Sequence, residues 1–427
     1  MKNIYRKSGA LLLSALLCGC TAAGTDHTSD TSQNSAQTSS QNDSSQTAQT
    51  SQESEMSQEQ IDQIAGFSWQ MFLKTQTDAK SSLVSPLSAF FTLGMCANGA
   101  RGETLSQIEE VLAMPIEQAN SVSRSVLDAA GEKDSPLQAA NSVWIRKDIP
   151  GDLNSAFRDI LEADYDAEIQ KISFSSQSKV IDDWVSDKTN GMFKSIPLKP
   201  TDRTVMILLD ALAFDGTWKD PVEEGQIETG EFTNADGTTS QATMLYGQED
   251  KYIEGEGFKG FLKPYEGDRY ALAFLIPADE KASLDETIAK ADGTKLMEAV
   301  TSPKSAEVET CFPEFDTSTD MQLNQVLQDL GMTDAFSDSA DFSGMISGEN
   351  NLVLSEVVQK AKISVSRKGT KAAAVTEAEI METTLLTDNI VHCDRPFLYM
   401  LMDTESNIPL FIGTVQSMSA QTEESQS

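Results

Sequence analysis

Ile363–Leu386 reads ISVSRKGTKAAAVTEAEIMETTLL. Ile363 and Val365 alternate with Ser364 and Ser366, as in a strand. After Gly369 comes a long run of small, weakly polar residues, which a period of two sorts into two rows. Thr370, Ala372, Ala374, Thr376, Ala378 and Ile380 form a small, neutral, buriable row. Lys371, Ala373, Val375, Glu377, Glu379 and Met381 form the other row, which carries the charges. A linker has no use for such sorting; the run is written to become a strand with one buried face. Alanine is a poor strand former and a good helix former, so local propensity does not enforce that strand. An Ala-rich surface helix would need an apolar stripe, which the run lacks. The segment is therefore expected to have two states, an exposed loop and an inserted strand. Extended, Thr370 to Thr383 spans roughly 45 Å at about 3.3 Å per residue, enough to cross a large sheet.

At the other end of the chain, Lys2, Arg6 and Lys7 precede an apolar run from Ala10 to Leu17 that stops at Leu17-Cys18-Gly19-Cys20. This has the layout of an export signal over residues 1–19, too short for a stable membrane span. Leu-Cys-Gly-Cys resembles the lipobox of bacterial lipoproteins, which implies lipid attachment at Cys20; an ordinary cleaved signal is the alternative. Residues 20–55 are almost wholly Ser, Thr, Gln, Asp, Asn and Ala and cannot offset their ordering entropy by burial. They read as a disordered tether, and residues 419–427 as a disordered tail. Ser57 and Gln60 have capping-box spacing, and Ile61, Ile64, Ser68, Met71 and Phe72 follow a helical stripe. No second linker and no internal repeat appears after that, so residues 56–418 are expected to form a single domain.

The net charge is −34, which excludes a phosphate-binding groove and hence nucleic acid as a main partner. Beyond the signal the cysteines are Cys96, Cys311 and Cys393, odd in number, far apart and flanked by apolar residues. They are expected to be free and buried. Only His27 and His392 exist, and no G-x-S-x-G elbow or H-E-x-x-H pair is present. A hydrolase triad or a metal site therefore has little to recommend it, and no cofactor is implied. Gly255–Gly260 matches G-x-G-x-x-G formally, but Pro264 follows where a dinucleotide fold needs a helix.

Gly369, Thr370, Lys371, Ala372, Ala373, Ala374, Val375 and Thr376 resemble the hinge of the serpin reactive loop, and Arg395-Pro396-Phe397 the strand after it. The remaining matches follow the family's order from Ser57 to Val415. They include Ser85-Pro86-Leu87-Ser88-Ala89, Asn141-Ser142-Val143-Trp144 and Ala211 to Trp218, then Leu262 to Tyr265, Phe312-Pro313-Glu314-Phe315 and Val357 to Ala361. This resemblance implies an α+β fold with three sheets, about eight or nine helices and an exposed reactive loop. It also implies a mechanism, in which a protease cleaves the loop as substrate and is trapped as an acyl-enzyme when the loop inserts. The small row at Thr370, Ala372 and Ala374 fits an inhibitory member. A non-inhibitory serpin that binds a ligand or partner, and an acidic solute-binding lipoprotein, remain open.

Three departures from the family pattern bear on the site. Arg367 and Lys371 stand where acidic residues are usual, so a hinge ion pair must be reversed or absent. The resemblance also implies a polar sheet-opening cluster beside Ser85 and Ser88, in which Asp182 and Gln359 hold the places of the usual Asn and His, with Trp218 where the loop enters; Asp182 and Gln359 are expected to pair, a surface helix position for Asp182 being the alternative. The loop is longer than usual. Counting from Gly369 puts the scissile bond at Thr383–Thr384, and counting back from Pro396 puts it at Leu385–Leu386. No Lys or Arg lies between Lys371 and Arg395, which argues against a trypsin-like target. Elastase-like or subtilisin-like serine proteases fit the uncharged side chains, with a chymotrypsin-like pocket possible at Leu385. The expected protein is a non-enzymatic monomer, lipid-anchored at a bacterial cell surface or secreted.

Overall fold

Ser57 caps the first helix as its spacing predicts. Its side chain accepts from the Gln60 amide at 3.3 Å while its own amide donates to Gln60 Oε1 at 2.9 Å. The structure is a computed structural model that describes residues 56–418 apart from 78, 134, 149–150, 175–176, 190, 192, 196–203, 205, 349–351, 355–356 and 371–386. The described helices are α1 (Gln58–Thr75), α2 (Pro86–Gly99), α3 (Gly102–Leu112), α4 (Ile116–Ala130) and α5 (Ser155–Asp164). After these come α6 (Gln177–Lys188), α7 (Leu284–Lys290), α8 (Gly293–Thr301) and α9 (Asn324–Asp329). The α2 helix is buried along its whole length, as a helix apolar on every face must be. Ser85 caps it, and Pro86 occupies the first turn, where its missing N–H costs nothing.

The first strands are β1 (Ser82–Val84), β2 (Leu137–Arg146), β3 (Glu168–Ile172), β4 (Met206–Phe214) and β5 (Gly216–Thr217). Next are β6 (Ile227–Thr233), β7 (Thr239–Gly255), β8 (Phe258–Pro264), β9 (Tyr270–Pro277), β10 (Lys304–Pro313) and β11 (Phe315–Gln322). The last are β12 (Val358–Ser366), β13 (Gly369–Thr370), β14 (Ile390–His392), β15 (Phe397–Asp403) and β16 (Ile408–Val415). Three sheets result, so the α+β expectation holds. One runs β1-β16-β15-β9-β8-β7-β10-β14 with β6 on β7, one runs β11-β12-β13-β5, and one runs β3-β2-β4.

The relation between the two smaller sheets positions the site. β4 leads through Asp215 into β5, and it lies beside β12. Among the described residues, no ladder joins β4 to β12. Only β13, two residues long, fits between β12 and β5, antiparallel to both. Alternate residues of β2 and β4 face opposite ways. Leu208, Leu212 and Phe214 join the main core, whereas Ile207, Leu209 and Ala211 pack with Trp144 and the α6 residues Ile181, Trp184 and Val185 in a second cluster. Cys96, Cys311 and Cys393 are free and buried, and burial pushes the Cys96 and Cys311 thiols up to about 12.

Candidate functional site

The buriable row predicted from Thr370 onward begins at a buried position. Thr370 is 2% exposed and pairs with Val365 on one side and Gly216 on the other. Its hydroxyl lies 2.7 Å from that of Tyr265, itself fully buried. Gly369 precedes it with φ +140°, a backbone region where a side chain is strained, and an added Cβ would strike the Gly216 carbonyl and come within 2.7 Å of the Thr217 Cα. Glycine is needed here because the neighbouring backbone leaves no room.

Trp218 closes this end of the sheet. Its indole N–H donates to the Ser366 carbonyl at 2.8 Å, and its amide donates to the Lys368 carbonyl at 2.9 Å. Its ring stacks on Tyr265 with centroids 4.3 Å apart and lies edge-on to Phe312. Lys263 Nζ sits 5.5 Å above the Trp218 ring and 2.7 Å from Glu249 Oε1, in an ion pair whose side chains are nearly buried. Burial raises the Glu249 carboxyl above its ordinary range, while Lys263 opposes the shift. Trp218 and Tyr265 thus hold the turn from which the loop departs.

Arg367, one of the two basic residues at usually acidic positions, meets an acid that lies between β10 and β11. Its amide donates to Glu314 Oε1 at 3.0 Å. The sequence left open whether a hinge contact is reversed or absent; here a carboxylate stands opposite a basic residue, and the contact runs through the backbone. The Arg367 carbonyl also accepts from the Val222 amide at 2.9 Å.

Seven residues along β12 from Ser366, roughly 23 Å at about 3.3 Å per residue, the polar cluster appears. Gln359 is 2% exposed; its Oε1 accepts from the Ser85 amide at 2.9 Å and its Nε2 donates to the Ser85 carbonyl at 2.7 Å. Ser85 Oγ donates to the Leu410 carbonyl at 2.8 Å and accepts from the Ser88 amide at 3.3 Å. Ser85, Ser88 and Gln359 therefore come together as expected, tying β12 to the start of α2.

Asp182 does not join them, and the expected Asp182–Gln359 pair is corrected. Asp182 lies on α6, which packs on the opposite face of the β2–β4 sheet, and the Gln359 amide serves the Ser85 backbone instead. The acid on the Ser88 side is Asp210, in β4 on the core-facing row between Leu208 and Leu212. The sequence reasoning missed it, although its signal was present: one carboxylate alternating with large apolar residues in a strand. Trp218 also belongs to the hinge end rather than to this cluster.

Lys371, Ala372, Ala373, Ala374, Val375 and Thr376, the scissile candidates Thr383, Thr384, Leu385 and Leu386, and Cys20 lie outside the described residues. His392 Nε2 is 3.2 Å from Glu309 Oε1, half-buried on β14. The formal glycine motif at Gly255–Gly260 is a hairpin turn between β7 and β8, with Glu256 at φ 51° and Gly257 at φ 81°, and no helix follows. Among the described residues, no group of three or more His, Cys, Asp or Glu side chains is arranged to hold a metal ion.

A family model described as Serpin (serine protease inhibitor) matches residues 62–418. Iripin-1 of Ixodes ricinus is 31% identical over 357 residues, which cover 78% of this chain and 88% of that protein. Serpin-Z10 of Arabidopsis thaliana is 29% identical over 360 residues, covering 80% of this chain and 93% of that protein. The crystal structure of a thermophilic serpin, tengpin, in its native state matches with TM-score 0.80 at 36% identity, over 85% of this chain and 95% of that one. Tengpin in its latent state gives 0.75 at 35% identity, over 85% and 99%.

Proposed function

The chain belongs to the serpin family of serine protease inhibitors, and on that premise we propose that it inhibits by trapping: a protease cleaves its loop, and the freed strand inserts between β12 and β4. The observation that carries this reading is β13. It already occupies one end of the unpaired space between the two sheets, antiparallel to both neighbours, with Thr370 buried. An unbroken continuation of that register sets Ala372 opposite Ile363 and Phe214, and Ala374 opposite Ala361 and Leu212. It sets Thr376 opposite Gln359 and Asp210. On β12, Gln359, Ala361, Ile363 and Val365 are the buried row. The small residues of the loop thus fall on the side where large ones would not fit. Insertion converts two unpaired strand edges into ladders, a loop-insertion switch of the kind that releases stored strain.

The target class follows from the loop's chemistry. Without a basic residue between Lys371 and Arg395, and with Glu377, Glu379 and Glu382 in the approach, the loop opposes a primary pocket built for Lys or Arg. Thr383–Thr384 is the preferred scissile bond, because the hinge count governs how much strand inserts; Leu385–Leu386 is second. The proposed targets are elastase-like or subtilisin-like serine proteases. The proposal also places the domain outside a bacterial cell, held by lipid on Cys20 through the tether of residues 21–55. Loss of fatty-acid labelling in Cys20→Ser would test that attachment.

The functional test is incubation with a panel of serine proteases, followed by denaturing electrophoresis and mass spectrometry of the released peptide. An SDS-resistant complex with an elastase-like enzyme and a peptide beginning at Thr384 or Leu386 is expected. Loop cleavage without a complex would make the chain a non-inhibitory member. Stable complexes with trypsin alone would overturn the target class.

A further inference from the structure

Asp210 is 8% exposed, and neither of its carboxyl oxygens has a hydrogen bond of good geometry. Directly opposite in the β2–β4 ladder is Asn141, 1% exposed, whose Oδ1 also has no partner, while its Nδ2 donates to the Tyr165 carbonyl at 2.9 Å. Residues opposite one another in a ladder point to the same face, with Cβ atoms about 4.5–5.5 Å apart. Three acceptor oxygens thus share one buried face, and the Ser88 hydroxyl is the donor that acts on Asp210 there. An ionised carboxylate supplies only acceptors, whereas a protonated one supplies an O–H donor.

We propose that Asp210 is protonated in the folded protein and that its O–H donates to Asn141 Oδ1, forming a lock between β4 and β2 that opens as pH rises. The surroundings offer the charged form one hydroxyl, Ser88, and no opposite charge. On α2, which covers this face, there is no acidic or basic residue; Ser88 is the one group there that favours ionisation, and Cys96 is the titratable one. On β12 the core-facing residue is Gln359, whose amide is engaged by Ser85, while Lys360 and Lys362 alternate with it on the other row. Beside Asn141 stands Tyr165, whose hydroxyl is raised by burial and donates to Asn120. The charges of α6, among them Lys179, Asp182, Asp183 and Lys188, lie over the opposite face. Burial accordingly lifts the Asp210 carboxyl from 3.8 to about 7.

The direction of the pH effect follows by linkage. The folded chain keeps a proton that the unfolded chain gives up near pH 4. The stability from this proton is therefore complete below about pH 4, declines between about pH 4 and 7, and is gone above that. The lock sits on the strand whose edge faces β12, so its opening loosens the strand that loop insertion must engage. The titration stands whether or not the chain traps proteases.

Two measurements test it on the whole chain. The folding constant of the wild type relative to Asp210→Asn, whose amide donates at every pH, should fall about tenfold per pH unit between about pH 5 and 6.5 and level off above about 8. Parallel stability profiles of the two proteins would overturn the proposal. In wild-type protein labelled with 13C at the aspartate carboxyls, one resonance should titrate near neutral pH. Complete titration of every aspartate below pH 5 would overturn it without recourse to any variant.

Discussion

Replacing Thr370 by arginine should turn the chain from inhibitor into substrate. The wild-type side chain is 2% exposed and shares a 2.7 Å hydrogen bond with Tyr265. A guanidinium in its place is either buried without a partner, at a cost of several kcal/mol, or pulls β13 out of the sheet. Expulsion is the cheaper course. It breaks the buried hydrogen bond and leaves the Tyr265 hydroxyl unsatisfied, about 1–3 kcal/mol against insertion. That slows the step roughly 5- to 150-fold at about 1.4 kcal/mol per factor of ten. Deacylation of the protease is untouched, so the acyl-enzyme is hydrolysed before the strand goes in. The assay is the ratio of cleaved chain to SDS-resistant complex with an elastase-like protease. Trp218, stacked on Tyr265, should report the loosened hinge by a change in fluorescence before any protease is added. Ala372→Glu acts one pair deeper in the same row and should shift the ratio the same way. Wild-type complex yield in both variants would refute the insertion account.

Gln359→Ala strands the Ser85 amide and carbonyl and should destabilise the chain by about 1–3 kcal/mol for each group left unpaired, read from urea unfolding. Because Asp182 lies across the sheet, Asp182→Ala combined with Gln359→Ala should be additive within about 0.5 kcal/mol; a larger coupling would restore the pair that the structure separates. Lys263→Ala leaves Glu249 buried and unpaired and should cost about 3–5 kcal/mol, whereas Lys263→Met with Glu249→Leu should recover most of it in the same melts.

The burial of Thr370 after Gly369 was legible because its signal is local: a glycine, then small residues with a period of two. The capping box at Ser57 was legible for the same reason. What the sequence hid were relations between distant strands. Nothing in Phe312-Pro313-Glu314-Phe315 says that Glu314 receives the Arg367 amide, since that depends on the β11–β12 register. Asp182 was mistaken for the acid of the polar cluster because helix position alone does not say which face of a sheet a helix covers. Asp210 occupies that side instead, fixed by the alternation of β4 between two cores. Tyr265 appeared only as the end of the matched stretch from Leu262, and its bond to Thr370 needs the hinge to be folded back on β12.

The central claim is that the strand begun at β13 continues between β12 and β4 once the loop is cut. Amide hydrogen exchange, compared before and after cleavage by an elastase-like protease, addresses it most directly. The account predicts that peptides covering Leu208–Phe214 and Gln359–Ile363 become protected together, along with the loop peptide from Lys371 toward the cut. Unchanged exchange at both strand edges after complete cleavage would contradict it.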